Sequence, residues 1–383
     1  MESINEEILN NPGDNSLKKK FLFNKTQFVD KLISSKKLKL NLNFGESREA
    51  NVTKITKNAF INLENLEELT LLCDVSLLED GVYANLKKLA KLNLIGKNMK
   101  TIRLNMFNGL SNLKILNTPC SIETIEDNSF ENLSNLEELN IYTNKINEIK
   151  LSTFNGLTNL KILNLPRGQI KSIQNHSFIN MTKLETLNMN SNPIYSINTE
   201  TFQGLKNLKA LNLWGCQLNS IEEGTFRPLE NLVELELNWN QIETIKSNTF
   251  DGLVNLKKLN ISSCELKIVE ENSFHSMINL KELTMHSNKL KEIKLNTFFG
   301  LENLQVLDIY DNKLSKIEDN SFLCVKNLHE LYLNNNEFEI INKLTFNGLT
   351  KLKILDLSEC KIKLIDKNAF VNLEKSSTKI IFK

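Results

Sequence analysis

An aromatic landmark returns every 24 residues through most of this chain. Phe130, Phe154, Phe178, Phe202, Phe226, Phe250, Phe274, Phe298, Phe322, Phe346 and Phe370 keep that step without a slip. Phe107, Tyr83 and Phe60 continue the row backwards at steps of 23, 24 and 23, which makes fourteen turns of one unit. A fixed period in this range defines a solenoid, in which each repeat buries its apolar side against its neighbours. The length of 383 residues would by itself suggest two ordinary domains. The period replaces that expectation with one continuous array.

A single repeat shows how the array closes. Leu136, Leu139 and Ile141 alternate as a short strand with its apolar side chains inward. Equivalent strands then stack about 4.8 Å apart in a parallel sheet. Ile146, Ile149, Phe154 and Leu157 bring the chain back along the other side of the same core. Asn144 stands where the strand ends, and its amide can satisfy backbone groups that would otherwise be buried unpaired. Twenty-four residues leave little room for a long helix, so the return side is expected to be extended or 3₁₀. Short helical turns are expected near the Gly-Leu-x-Asn-Leu steps. The sheet side is the more tightly spaced and is expected to be concave. The fold class is therefore an α/β solenoid.

The motif Leu-x-x-Leu-x-Leu-x-x-Asn/Cys-x-Leu recurs over most of residues 38 to 373. It resembles the leucine-rich repeat family in its 24-residue form, the form of Toll-type receptors, Slit and the small leucine-rich proteoglycans. That resemblance implies a horseshoe whose concave face binds other macromolecules, usually proteins.

Four segments follow along the chain. Residues 1–16, with Asn11-Pro12-Gly13-Asp14-Asn15, have little to bury and read as a disordered tail. Residues 17–37 read as an N-terminal helical cap: Asn24 with Gln27 forms a capping box, and Phe28, Val29, Leu32 and Ile33 recur at helical spacing. Residues 38–373 are the solenoid, about 14 repeats. Residues 374–383 read as a C-terminal edge cap, with Ile380 to Phe382 adding an edge strand. A net charge of +1 gives no field that selects nucleic acid or membrane, and no apolar run reaches a spanning length. The acidic start, Met1-Glu2-Ser3-Ile4-Asn5-Glu6-Glu7, lacks the order of a signal peptide.

Ten residues before each landmark lies the position of Asn144. It holds Cys73, Cys120, Asn144, Asn192, Cys216, Asn240, Cys264, Asn288, Asn312, Asn336 and Cys360, with Lys97 and Gly168 as gaps. This row is expected to be a structural ladder, in which Cys serves as a small buried residue with a weak donor. No two of its cysteines occupy adjacent turns. Two turns is about 10 Å, beyond the ~7 Å reach of a disulfide. Cys324 stands on the return side. Six free thiols fit a cytoplasmic protein. A secreted effector or an extracellular fragment is the alternative.

No Cys-x-x-Cys, His-Glu-x-x-His, phosphate loop or nucleophile elbow is present. The four histidines are scattered over different turns, so neither an enzyme, a metal site nor a cofactor is expected. Counting Leu136 as position one, positions five, seven and eight of each strand face outward. Position five is Asn in turn after turn, including Asn140, Asn164 and Asn212, and reads as a hydrated lining free of core duty. The other outward positions collect aromatic and acidic residues: Tyr142, Trp214, Glu236, Trp239, His286, Asp308, Tyr310, Asp311 and Tyr332. These are either anchors for a partner or rings packed on one another across strands. The chain reads as a non-enzymatic protein-binding module or scaffold that uses its concave face. The alternative is an extracellular receptor-like or adhesive ectodomain without its cysteine caps. The expected partner is a protein, with a basic surface to match the carboxylates. Neither nucleic acid nor membrane insertion is expected.

Overall fold

The computed structural model describes residues 36–41, 55–74, 76, 78–96, 99–374 and 377–382. The expected tail, all but the last two residues of the expected cap and Lys97 lie outside these residues. The chain divides into two compact units, 1–169 and 170–383.

In the N-terminal unit the strands Lys37–Asn41, Glu68–Leu72, Lys91–Ile95, Ile115–Asn117, Glu138–Asn140 and Ile162–Asn164 pair in parallel, each with the next. Register follows the leucines: Leu69, Leu92, Leu116, Leu139 and Leu163 oppose one another in sequence and are fully buried. A one-residue slip would turn that row to solvent, which is why it holds.

The C-terminal unit repeats the pattern with nine strands: Thr186–Asn188, Ala210–Asn212, Glu234–Glu236, Lys258–Asn260, Glu282–Thr284, Val306–Asp308, Glu330–Tyr332, Ile354–Asp356 and Lys379–Ile381. Each is three residues long because the chain turns at position eight. Ser191, Gly215, Trp239, Ser263, Ser287, Asp311, Asn335 and Glu359 all hold a left-handed backbone there, with φ between 52° and 62°. The return side carries two-residue strands, such as Thr244–Ile245 against Ile268–Val269. Besides Ser76, which is also 3₁₀, the helical elements among the described residues are one 3₁₀ turn, Leu323–Val325, and one helical turn, Val371–Glu374. The extended return side is as expected, but the helical turns expected at the Gly-Leu-x-Asn-Leu steps are not found there: those steps form hydrogen-bonded turns instead.

The aromatic landmarks form the spine of the core. Phe202, Phe226, Phe250 and Phe274 stack at centroid spacings of 6.0–6.1 Å, and Phe298, Phe322, Phe346 and Phe370 at 5.7–6.2 Å. In the N-terminal unit Phe60 stacks on Tyr83 and Phe107 on Phe130.

The ladder works by backbone satisfaction. Asn240 Oδ1 accepts from the amides of Cys216 and Leu218, while Nδ2 donates to the carbonyls of Leu213 and Leu237. Asn288 repeats all four bonds one pair of turns later. A cysteine reproduces only the donor half: Cys264 Sγ donates to Leu237 O at 3.1 Å and Cys216 Sγ to Met189 O at 3.3 Å. Cys360 keeps the same bond to Leu333 O but is only half-buried.

Two periodic features were not anticipated. Asn207, Asn231, Asn255, Asn279, Asn303 and Asn327 each donate Nδ2 to a carbonyl of the preceding turn at 2.7–2.9 Å. This is a second amide ladder, on the exposed side. Turns of the C-terminal unit also alternate in kind, giving a true period of 48 residues. In one kind Thr201, Thr249, Thr297 or Thr345 accepts from the amide three residues earlier. In the other, Ser177, Thr225 or Ser273 donates to the carbonyl three residues earlier. The first kind carries Gly204, Gly252, Gly300 or Gly348 two residues after its Phe, where the turns press together. A Cβ on Gly252 would stand 2.6 Å from Arg227 Cα.

Candidate functional site

Strand alternation puts positions three, five and seven of each turn on the open face of the sheet, and the left-handed turn adds position eight. In the N-terminal unit the position-five asparagines close on themselves. Asn93 donates to Thr70, Asn117 to Asn93, Asn140 to Asn117 and Asn164 to Asn140, at 2.5–2.8 Å. Asn140 is 2% exposed. The expected hydrated lining is therefore corrected at this residue: neighbouring amides and Glu138 take up its bonding and exclude water. Tyr142, 39% exposed, stands two residues further along the same turn and belongs to this unit.

The other predicted aromatic and acidic residues all lie on the sheet face of the C-terminal unit. Trp214 is 36% exposed and Trp239 64%. Among the described residues neither indole stacks on another ring. Trp214 takes position seven, between Asn190 and Asn238 in the same row of the flanking turns, and the amide oxygen of each asparagine is buried without a hydrogen-bond partner. Trp239 takes position eight, with φ 60°. His286 and Tyr310 do pack across strands, with centroids 4.4 Å apart, so the cross-strand alternative holds for that pair. Tyr332 Oη donates to Glu330 at 2.8 Å, and this bond, backed by burial and the charges of Asp308 and Asp356, pushes the phenol up to about 12.

The carboxylates divide into two populations. At the margins they are neutralised between turns, as in Lys209–Glu185 at 2.8 Å, Lys267–Glu243 at 2.6 Å and Lys289–Glu265; at position three of the face Lys258, in register with Glu234, pairs with Glu282 at 3.0 Å. On the face itself Glu234, Glu236, Asp308, Glu330 and Asp356 belong to none of the ion pairs among the described residues. Burial raises Glu236 and Asp308 above the usual carboxylate range, against the bonds they accept from Asn260 Nδ2 and the Tyr310 amide. Asp311 accepts from Asn335 at 2.7 Å. The face thus offers exposed aromatic surface beside carboxylates that stand in no ion pair.

The return side holds one polar cluster. Ser276 Oγ lies 3.1 Å from His275 Nε2, and Asp251 lies 3.4 Å from the same nitrogen and 3.0 Å from Arg227. His275 Nδ1 faces the Asn272 carbonyl at 2.9 Å. A base needs its orienting carboxylate on the nitrogen away from the nucleophile, so this cluster is a surface ion pair rather than a catalytic arrangement. Among the described residues no group of three or more His, Cys, Asp or Glu could hold a metal ion, and no helix is long and apolar enough to cross a membrane.

Stacked three-residue strands, a buried amide ladder and a return side almost without helix define a leucine-rich repeat solenoid. The chain belongs to the leucine-rich repeat family: the profile described as BspA type leucine rich repeat region (6 copies) matches residues 41–161, and the leucine rich repeat profile matches 158–218, 206–266, 278–338 and 326–378. No curated protein matches the sequence. Among solved structures, Drosophila Toll in its complex with Spatzle is similar with a TM-score of 0.74 at 19% identity over 92% of this chain. TLR13 in its complex with ssRNA13 gives a TM-score of 0.67 at 27% identity over 84% of this chain. The match spans 51% of each of those two chains, about half their length. A leucine-rich repeat protein of Leptospira interrogans gives 0.52 at 21% identity, covering 92% of this chain and 97% of that one. The fold is one whose relatives bind other molecules, a protein in one complex and single-stranded RNA in another.

Proposed function

We propose that the chain is a protein-binding module whose partner docks on the sheet face of the C-terminal unit and presents a basic surface there. The observation that carries this is the contrast between the two carboxylate populations. Lys–Glu pairs neutralise the margins, while Glu236, beside the exposed indoles, and Asp308, beside Tyr332, stay half-buried and outside the ion pairs. A half-buried carboxylate without a cation is costly in the free protein, and a docked Lys or Arg would relieve that cost. The exposed indoles supply the anchors that dominate such interfaces. Complexes of the Toll kind, with a protein ligand, agree with this reading. The absence of a basic stripe on the face speaks against a nucleic-acid strand, whose phosphates need one. The six unpaired thiols support a reducing compartment as the place of action.

The test is capture of a partner followed by a binding series. The Trp214→Ala/Trp239→Ala variant is expected to lose at least about 2 kcal/mol, and binding to weaken as salt rises. A return-side variant, Leu295→Ala/Phe299→Ala, is expected to bind like the parent. The reverse pattern places the partner on the return side and ends this assignment.

A further inference from the structure

We infer that the occupant of this face is an extended, arginine-bearing segment of the partner, with one guanidinium stacked on Trp214 beside Glu236 and a second over Tyr332 between Asp308 and Asp356. The inference rests on the protein-binding reading above and specifies its chemistry. At the first seat the charge on offer is a carboxylate. Glu236 accepts one bond, from Asn260 Nδ2, belongs to no ion pair among the described residues and feels Lys258 only at longer range, and the exposed indole of Trp214 stands on the neighbouring turn. A ligand that only donates fits this set. A guanidinium brings five N–H groups in one plane and stacks on an indole, whereas an ammonium brings three around a point.

The second seat is built on register. Asp308, Tyr332 and Asp356 oppose one another on three consecutive strands, so the ring lies between two carboxylates. Glu330 holds the phenol and fixes the ring as a platform. Asp308 and Asp356 each use Oδ1 on their own turn, on the Tyr310 amide and on the Ser358 amide and hydroxyl, and leave Oδ2 without a protein partner. Four strand steps separate Glu236 from Tyr332, roughly 19 Å, and an extended chain covers that in about six residues. Between the seats Asn260, Ser262 and Thr284 are short, which leaves room for a backbone crossing the strands.

Both tryptophans of the chain belong to this face, so tryptophan emission reports on it directly. The probes are Gly-Ser peptides bearing two arginines, two lysines or two glutamates about six positions apart, and a fourth with adjacent arginines. Titration at low salt, followed by emission and calorimetry, is expected to show the spaced arginine pair binding at least about tenfold more tightly than the lysine pair. Glu236→Gln and Asp356→Asn are each expected to weaken it severalfold without lowering the thermal midpoint. Equal arginine and lysine binding overturns the guanidinium assignment and leaves a basic partner standing. Equal binding of the adjacent pair overturns the two-seat geometry. Preference for the glutamate peptide, or no binding by any basic probe, overturns the inference outright, and the capture experiment then judges the protein-binding reading separately.

Discussion

Trp239 holds a left-handed backbone with its indole 64% exposed, which is an expensive way to place a tryptophan. Asn335 occupies the same position four turns further on, and asparagine tolerates that conformation. Trp239→Asn is therefore expected to leave the protein at least as stable, by up to about 1 kcal/mol in a thermal melt, while losing partner binding. Lower stability with intact binding would mean that the indole serves the fold instead. Glu236 poses the same choice for charge. Burial raises its carboxyl, so the folded state holds the proton more tightly than the unfolded chain does. Such a group subtracts stability above its folded pKa and ceases to do so as pH falls through it. Glu236→Gln is expected to stabilise the free protein at neutral pH, with a gain that fades in urea titrations at mildly acid pH. Partner binding by the parent is expected to fade over the same acid window as Glu236 and Asp308 take up protons. Away from the face, Tyr83 stacks in the core with its hydroxyl buried and unpartnered. Tyr83→Phe removes that hydroxyl and is expected to stabilise by about 1 kcal/mol in denaturant unfolding.

Within a single turn the glycines after alternate landmarks matter more than their frequency suggests. Gly252 combines φ 91° with the backbone of Arg227 where a Cβ would go, whereas at Gly215, with φ 62°, an added Cβ would meet nothing nearer than Ser191 Oγ at 4.0 Å. Gly252→Ala is expected to cost at least about 3 kcal/mol, from both left-handed strain and overpacking, and Gly215→Ala only about 1. Equal losses in urea unfolding would show that the turns can slide apart to admit a methyl group. The strands, the Phe spine and the Asn/Cys row were legible in the sequence because buried positions accept few residue types. The exposure of Trp214 followed from alternation along a strand, and that of Trp239 from the turn at position eight. The 48-residue period was also written there, as Gly204, Asn180, Gly252 and Pro228 show. It escapes a 24-residue reading because its cause is a reversal of hydroxyl bonding that only coordinates display. The second amide ladder escaped for a related reason: Asn207 and its equivalents bind a backbone carbonyl one turn away, and no side-chain pattern marks that target. Position-five exposure failed at Asn140 because side chains on adjacent strands can bury one another without any core.

Across the whole chain the ladder is the element whose gaps should govern local opening, since each turn of a solenoid is supported mainly by its neighbours. Gly168 brings no side chain to the row, directly after Pro166 and Arg167, and the division between the two compact units falls after Gln169. The four backbone bonds that Asn240 makes at its own place have no counterpart at Gly168. Asn144 compensates in part, turning its oxygen onto the amide of Ile146 at 3.1 Å within its own turn. Amide exchange over residues 165–170 is expected to run faster than near Asn240 and Asn312. Thiols give an independent clock. Burial pushes Cys73 up to about 11 and Cys216 and Cys264 up to about 12, so all three should stay unreactive until their turns open. Cys324, half-buried on the 3₁₀ turn of the return side, should react first in the native protein. All six should react once it is denatured without reductant. If exchange over 165–170 matches that at Asn240 and Asn312, the repair by Asn144 is complete and Gly168 is no weak point. If Cys216 or Cys264 is labelled as fast as Cys324, the ladder of the C-terminal unit opens far more readily than its four bonds per asparagine imply.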